Sequence, residues 1–237
     1  MKYQITGTTM PVLELSLDPG DKIVAESGEL SWMGAGMKLH TSMAGGGGGG
    51  GLFGAVKRKI AGGSFWMTEY TTDQAGDELA FCTRVPGHIV PVTVSADNEP
   101  RIHRHGFLCA VEGVNLELAF QQKFSSGIFG GEGFRLQKLT GSGLAFIELS
   151  GELIERDLAA GQVLRAHPGH VGMFEKSVQF EITTVPGIKN KFLGGDGLFL
   201  AKMTGPGKVW LQTLPLPNLA AALTPFIAAD LPQQDDN

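Results

Sequence analysis

Three stretches of the chain alternate apolar and polar side chains with a period of two. Leu13, Leu15 and Leu17 are separated by Glu14 and Ser16. Val114, Leu116, Leu118 and Phe120 enclose Asn115 and Glu117, and Val178, Phe180 and Ile182 enclose Gln179 and Glu181. Successive side chains of a strand point to opposite faces, so this pattern predicts strands with one face in a core. Turns punctuate the chain at Pro86-Gly87, Pro168-Gly169, Pro186-Gly187 and Pro206-Gly207. Proline presets one backbone dihedral and glycine tolerates the next. Helical spacing occurs in two places only: Leu52–Ile60, and Leu219–Phe226, which Asn218 is placed to cap and Pro225 to end. The expectation is an all-β fold, a sandwich, jelly roll or barrel, with one or two short helices.

An internal repeat sharpens this picture. Gly130-Gly131-Glu132-Gly133 leads through Lys138-Leu139-Thr140-Gly141-Ser142-Gly143 into Leu144-Ala145-Phe146-Ile147. Gly194-Gly195-Asp196-Gly197 leads in step through Lys202-Met203-Thr204-Gly205-Pro206-Gly207 into Lys208-Val209-Trp210-Leu211. The offset is constant, 194 − 130 = 64, with no gap. A fainter copy starts at Gly62-Gly63-Ser64-Phe65-Trp66, and a second echo links Leu17–Gly28 with Leu158–Gly169. In that echo the first glycine supplies a tight turn, the aliphatic residues a buried strand and the last glycine its end. The reading is one β domain over residues 1–229, built of about three related units (approximately 1–125, 126–190 and 191–229), with 230–237 a disordered acidic tail.

Composition agrees. Of 237 residues, 35 are glycine and only 18% are charged, which suits many short strands and excludes long coiled coils. A net charge of −5 removes a broad basic surface, so no nucleic-acid partner is expected. Cys82 and Cys109 read as buried thiols, no basic and apolar signal segment opens the chain, and no apolar run nears the roughly 20 residues of a spanning helix. A cytoplasmic location follows as an expectation.

Together, the glycine run before Lys57-Arg58, the Gly62–Trp66 stretch, the Pro86-Gly87 turn, the paired Gly-Gly-acid-Gly units and the Gly207–Thr213 close resemble a widespread, poorly characterised family. It includes a fungal mitochondrial protein named for altered inheritance of mitochondria, and the resemblance runs from about Thr9 to Phe226. What it implies is a double-stranded β-helix, grouped with the tryptophan-responsive RNA-binding attenuation protein, that assembles into a symmetric homo-oligomer, a trimer or another ring. The fungal member's association with the mitochondrial inner membrane does not carry over, because no Arg- and Ser-rich transit segment is present.

Three motifs invite chemistry. The Gly45–Gly51 run lacks the Gly-Lys-Ser/Thr ending of a phosphate loop. Phe53 beside Lys57, Arg58 and Lys59 suits a peripheral contact with anionic lipid or an acidic protein partner. His103-Arg104-His105 has the His-x-His form of metal-binding cupins, with His167 or His170 available to complete a site, yet no carboxylate is spaced as a cupin requires. Trp32, Trp66 and Trp210 read as core or subunit-contact residues. No catalytic signature and no cofactor motif is legible. The expected function is that of a non-enzymatic oligomeric binding or scaffold protein; the alternatives are a cupin-like metal enzyme and a peripheral membrane adaptor.

Overall fold

The computed structural model describes residues 1–43, 66–122, 133–184 and 199–229. After a first strand, β1 (Lys2–Thr6), the chain runs three times through the same six places. The first pass is β2 (Val12–Leu17), β3 (Lys22–Glu26), β4 (Trp32–Met33), β5 (Met37–Met43), β6 (Trp66–Thr72) and β7 (Asp77–Cys82). The second is β8 (Gly87–Val94), β9 (Arg101–His103), β10 (Phe107–Val111), β11 (Val114–Gln122), β12 (Phe134–Gly141) and β13 (Gly143–Ser150). The third is β14 (Leu153–Leu158), β15 (Val163–Ala166), β16 (Val171–Phe174), β17 (Gln179–Thr184), β18 (Phe199–Thr204) and β19 (Gly207–Gln212), followed by helix α1 (Leu216–Ala229).

These strands form four antiparallel sheets, ordered β1-β2-β7-β4, β5-β6-β3-β10-β13-β8, β11-β12-β9-β16-β19-β14 and β15-β18-β17. Each six-stranded sheet is shared. Three strands come from one pass (β5-β6-β3 or β11-β12-β9) and three from the next (β10-β13-β8 or β16-β19-β14), joined through β3 with β10 and through β9 with β16.

Alternation along each strand then feeds two cores at once. Ile23 and Ala25 face Leu13, Leu15, Leu17 and Phe81 of the first sheet, while Val24 between them faces the second core with Ile102, Leu139 and Met173. A third core packs Leu136, Phe174 and Val209 against Ala201 and Met203 of the last sheet. Both central sheets are therefore apolar on both faces, a pattern that antiparallel sheets adopt when layers cover each side.

The 64-residue repeat is legible in this arrangement. β12 and β18 each run into the next strand, β13 or β19, through a glycine corner that carries the chain from one sheet to its neighbour. At the first corner Gly141 has φ +92° and Gly143 φ +151°; at the second Gly207 has φ +136°. L side chains rarely adopt such angles, and a Cβ at Gly143 would meet Val111 Cγ2 at 2.6 Å. A Cβ at Gly205 would meet the Ala159 carbonyl oxygen at 2.4 Å, and Gly133, with φ +75°, stands directly before β12. Gly130, Gly131, Gly194, Gly195 and Gly197 lie outside the described residues, as do the segment 52–60 and the tail 230–237. The divisions placed near residues 125 and 190 fall between β11 and β12 and between β17 and β18, inside the six-strand passes.

The C-terminal helix differs from the reading at Asn218 and Pro225. It starts at Leu216, where the Pro215 carbonyl accepts from the Asn218 and Leu219 N–H groups and Pro217, which has no N–H, occupies the first turn. It also continues through Pro225 to Ala229, with the Thr224 hydroxyl donating to the Ala220 carbonyl at 2.8 Å. No helix among the described residues is long and apolar enough to cross a membrane.

Candidate functional site

After β3, β9 and β15 the chain makes the same tight turn. The Glu29 N–H donates to the Glu26 carbonyl, Gly106 N–H to that of His103 and His170 N–H to that of His167, at 3.3, 2.9 and 2.9 Å. Glu26, His103 and His167 thus occupy one position in three successive passes, and the polar groups of the protein gather around it.

His103 is enclosed. Its Nε2 donates to the Glu148 carbonyl at 3.2 Å and its Nδ1 accepts the His105 N–H at 3.3 Å. Burial pushes its pKa down to about 4, with Arg84 acting the same way and the Glu148 carbonyl opposing. The ring is neutral, and both its nitrogens are engaged. β9 ends at His103, so His105 lies in the turn and not two positions further along a strand. A side chain at Gly106 would press on the His103 ring, its Cβ 3.0 Å from Cδ2 and Nε2.

On β13, in the other central sheet, Glu148 is buried inside an apolar run. Its Oε1 accepts the Arg84 N–H at 2.9 Å, while burial holds its pKa above the usual carboxylate range. Arg84 turns its guanidinium to Glu29, donating from Nε at 3.1 Å and pairing through Nη2. Glu26 beside them has its pKa raised to about 7, by burial first and by Glu29, against the pull of Arg84. Its Oε1 is buried without a hydrogen-bond partner, as are Gln137 Oε1 and Thr83 Oγ1.

One pass later the same position as Glu148 holds Gln212, which is 4% exposed. Its Oε1 accepts the Ser150 N–H at 3.1 Å, its Nε2 donates to the Gly169 carbonyl at 3.0 Å, and its own carbonyl accepts from His170 Nδ1 at 2.8 Å. His167 accepts the Gly169 N–H on Nδ1 at 3.3 Å and packs edge-on against His170; burial, then the His170 charge, lower its pKa.

The two histidine motifs meet at a cleft of about 60 Å³, lined by His103, Arg104 and His105 on one side and Pro168, Gly169 and Gln212 on another, with Phe134, Arg135 and the start of α1 closing it. These motifs lie far apart along the chain, and the fold brings them to one cleft. Among the described residues no three of His, Cys, Asp and Glu come together as a metal-holding group. His103, Glu148 and Gln212 are each bonded to backbone groups, and so hold turns within the second and third passes and the links from one pass to the next.

Phe53, Lys57, Arg58 and Lys59 lie outside the described residues. Of the tryptophans described with their side chains, Trp210 packs against the second core and donates to Glu155 at 3.0 Å. Trp32 stands out at 43% exposure, its Nε1 donating to Glu78 at 2.7 Å. Glu26, Glu29, Arg84, Glu148 and Gln212 escaped the sequence reading. One signal was present, a carboxylate interrupting the apolar run Leu144–Leu149.

The sequence profile of the family described as mitochondrial biogenesis AIM24 matches residues 3–214. The chain belongs to this family. No curated protein matches the sequence. Among solved structures, the X-ray crystal structure of protein SPYM3_0169 from Streptococcus pyogenes is similar, with a TM-score of 0.73 and 20% identity over 95% of this chain and 99% of that one. That likeness shows that this AIM24-family chain shares its fold.

Proposed function

We propose that this AIM24-family protein is a non-enzymatic, homo-oligomeric binding or scaffold protein, assembled as a trimer or another symmetric ring in the cytoplasm. The observation that carries this reading is a contrast in how groups are used. Inside, His103, Glu148 and Gln212 are bonded to backbone groups; outside, large apolar side chains are exposed. Trp32 and Met33 are exposed at a sheet edge, and Leu223, Phe226 and Ile227 on α1, a helix without a single charged side chain. Contiguous exposed apolar groups mark surfaces that bind. Native mass spectrometry at micromolar concentration tests the assembly: a multiple of the chain mass is expected, and a single-chain mass defeats it.

A second reading, contact with a membrane surface, draws on the same helix, where Phe226 is 73% exposed. It would act with Phe53, Lys57, Arg58 and Lys59. Flotation with anionic vesicles that weakens as salt rises is the expected result; no flotation at low salt removes this reading. The cupin-like enzyme reading of His103 and His105 has no such support, since His103 holds no free nitrogen.

A further inference from the structure

Three passes through six places make three seams, and the chain closes two of them. In the first, β3 pairs with β10, with Ala25 opposite Cys109 and Val24 opposite Ala110. In the second, β9 pairs with β16, with Ile102 opposite Met173 and Arg101 opposite Phe174. Among the described residues the strands left over are β15, the edge of the last sheet, and β4, the edge of the first. They hold the same places as the joined strands: β4 packs beside β7 as β10 packs beside β13, and β15 beside β18 as β9 beside β12.

Exposure follows the missing contact. Phe107–Ala110 of β10 and all of β16 are buried. Their counterparts Trp32 and Met33 are 43% and 39% exposed, and no residue of β15 is buried. An unpaired edge bearing apolar side chains is a template for another strand.

Resting on the assembly reading above, we propose that β15 of one chain pairs antiparallel with β4 of a second copy. The internal seams fix the register. Through their ladders to β7, β13 and β19, Trp32 matches Cys109 and Met173, and Met33 matches Ala110 and Phe174. Through β6, β12 and β18, Arg165 matches Val24 and Arg101, and Ala166 matches Ala25 and Ile102. The new seam therefore sets Ala166 opposite Trp32, a small residue facing a large one, and Arg165 opposite Met33. The pair Arg101 and Phe174 already shows an arginine facing an apolar residue at this place. Each copy offers one edge of each kind, so the contact is head to tail, and it closes into a ring when the rotation between copies divides a full turn.

Cross-linking tests the pairing. In a Cys82→Ser background, chains carrying Met33→Cys and chains carrying Arg165→Cys are co-expressed and mildly oxidised, beside each variant alone. The expected product is a covalent pair containing one chain of each kind, with little linkage of either variant to itself. A chain carrying both substitutions that links only within itself, as a monomer, overturns the proposal in favour of closure within one chain. An assembly that keeps its multiple mass but yields no mixed pair overturns the seam and leaves the oligomer reading standing; a single-chain mass removes both. Trp32→Lys, at an exposed position, is expected to shift the native mass to the single chain, and an unchanged mass counts against the seam.

Discussion

Glu26 and His103 hold the same position in successive passes and titrate in opposite senses, which makes a sharp prediction about acid stability. The Glu26 pKa lies at about 7 against an ordinary 4.5. The folded chain keeps a proton there that the unfolded chain releases, so this contribution is full below about 4.5 and is lost as pH rises through about 7. The His103 pKa lies at about 4 against an ordinary 6.5. Here the unfolded chain takes up a proton that the folded chain refuses, and stability is lost as pH falls from about 6.5 to about 4. Each displacement is about 2.5 pH units, worth on the order of 3 kcal/mol. Over the shared interval the two nearly cancel. Glu26→Gln keeps the shape of the side chain and removes the gain, so between pH 7 and 4 this variant should lose on the order of 3 kcal/mol more than the parent protein. His103→Gln should show the reverse. Glu148, raised, and His167, lowered, act equally in all three proteins and drop out of the differences. Urea unfolding followed by tryptophan fluorescence at a series of pH values measures the effect. A Glu26→Gln profile parallel to that of the parent would refute the reasoning.

Other substitutions probe the corners and the packing between passes. Gly143→Ala should destabilise by about 2 kcal/mol or more, since it meets both a positive φ and the Val111 side chain. Gly161→Ala, with φ +76° and open space around it, should cost about 1 kcal/mol by the same urea assay. Gln212→Ala strands the Ser150 N–H and the Gly169 carbonyl, and a loss of about 2–4 kcal/mol is expected. Cys109 is fully buried and its thiol pKa is pushed well up by burial, so a thiol reagent should label one cysteine per native chain, Cys82, and both after unfolding.

The strands and corners were legible because their causes are local. A half-buried strand demands alternation, which Leu13 to Leu17 and Val114 to Phe120 display in β2 and β11. A corner with positive φ demands glycine, which put Gly141, Gly143 and Gly207 on view. The echo between Leu17–Gly28 and Leu158–Gly169 marked β3 and β15 as equivalent strands held between turns. The polar groups were not legible, because their partners are distant in sequence. Arg84 reaches Glu29 across 55 residues and Glu148 across 64, and neither pairing leaves a local pattern. Equivalent positions also changed residue type. Glu26, His103 and His167 share a turn and not a chemistry, so the third copy of that turn was read as a histidine motif. The helix start was hidden for a different reason: Pro215 stands at the cap position, its carbonyl accepting the first intrahelical bond from the Leu219 N–H, and proline brings no capping side chain.

The sharing of sheets between passes has a consequence for how the molecule comes apart. No pass owns a complete sheet pair, so removing any one of them strips an apolar face from its neighbour. Fragments cut at the corners should therefore fail to hold their shape singly yet recombine when mixed, and backbone amides in the two central sheets should exchange with solvent through a single opening event.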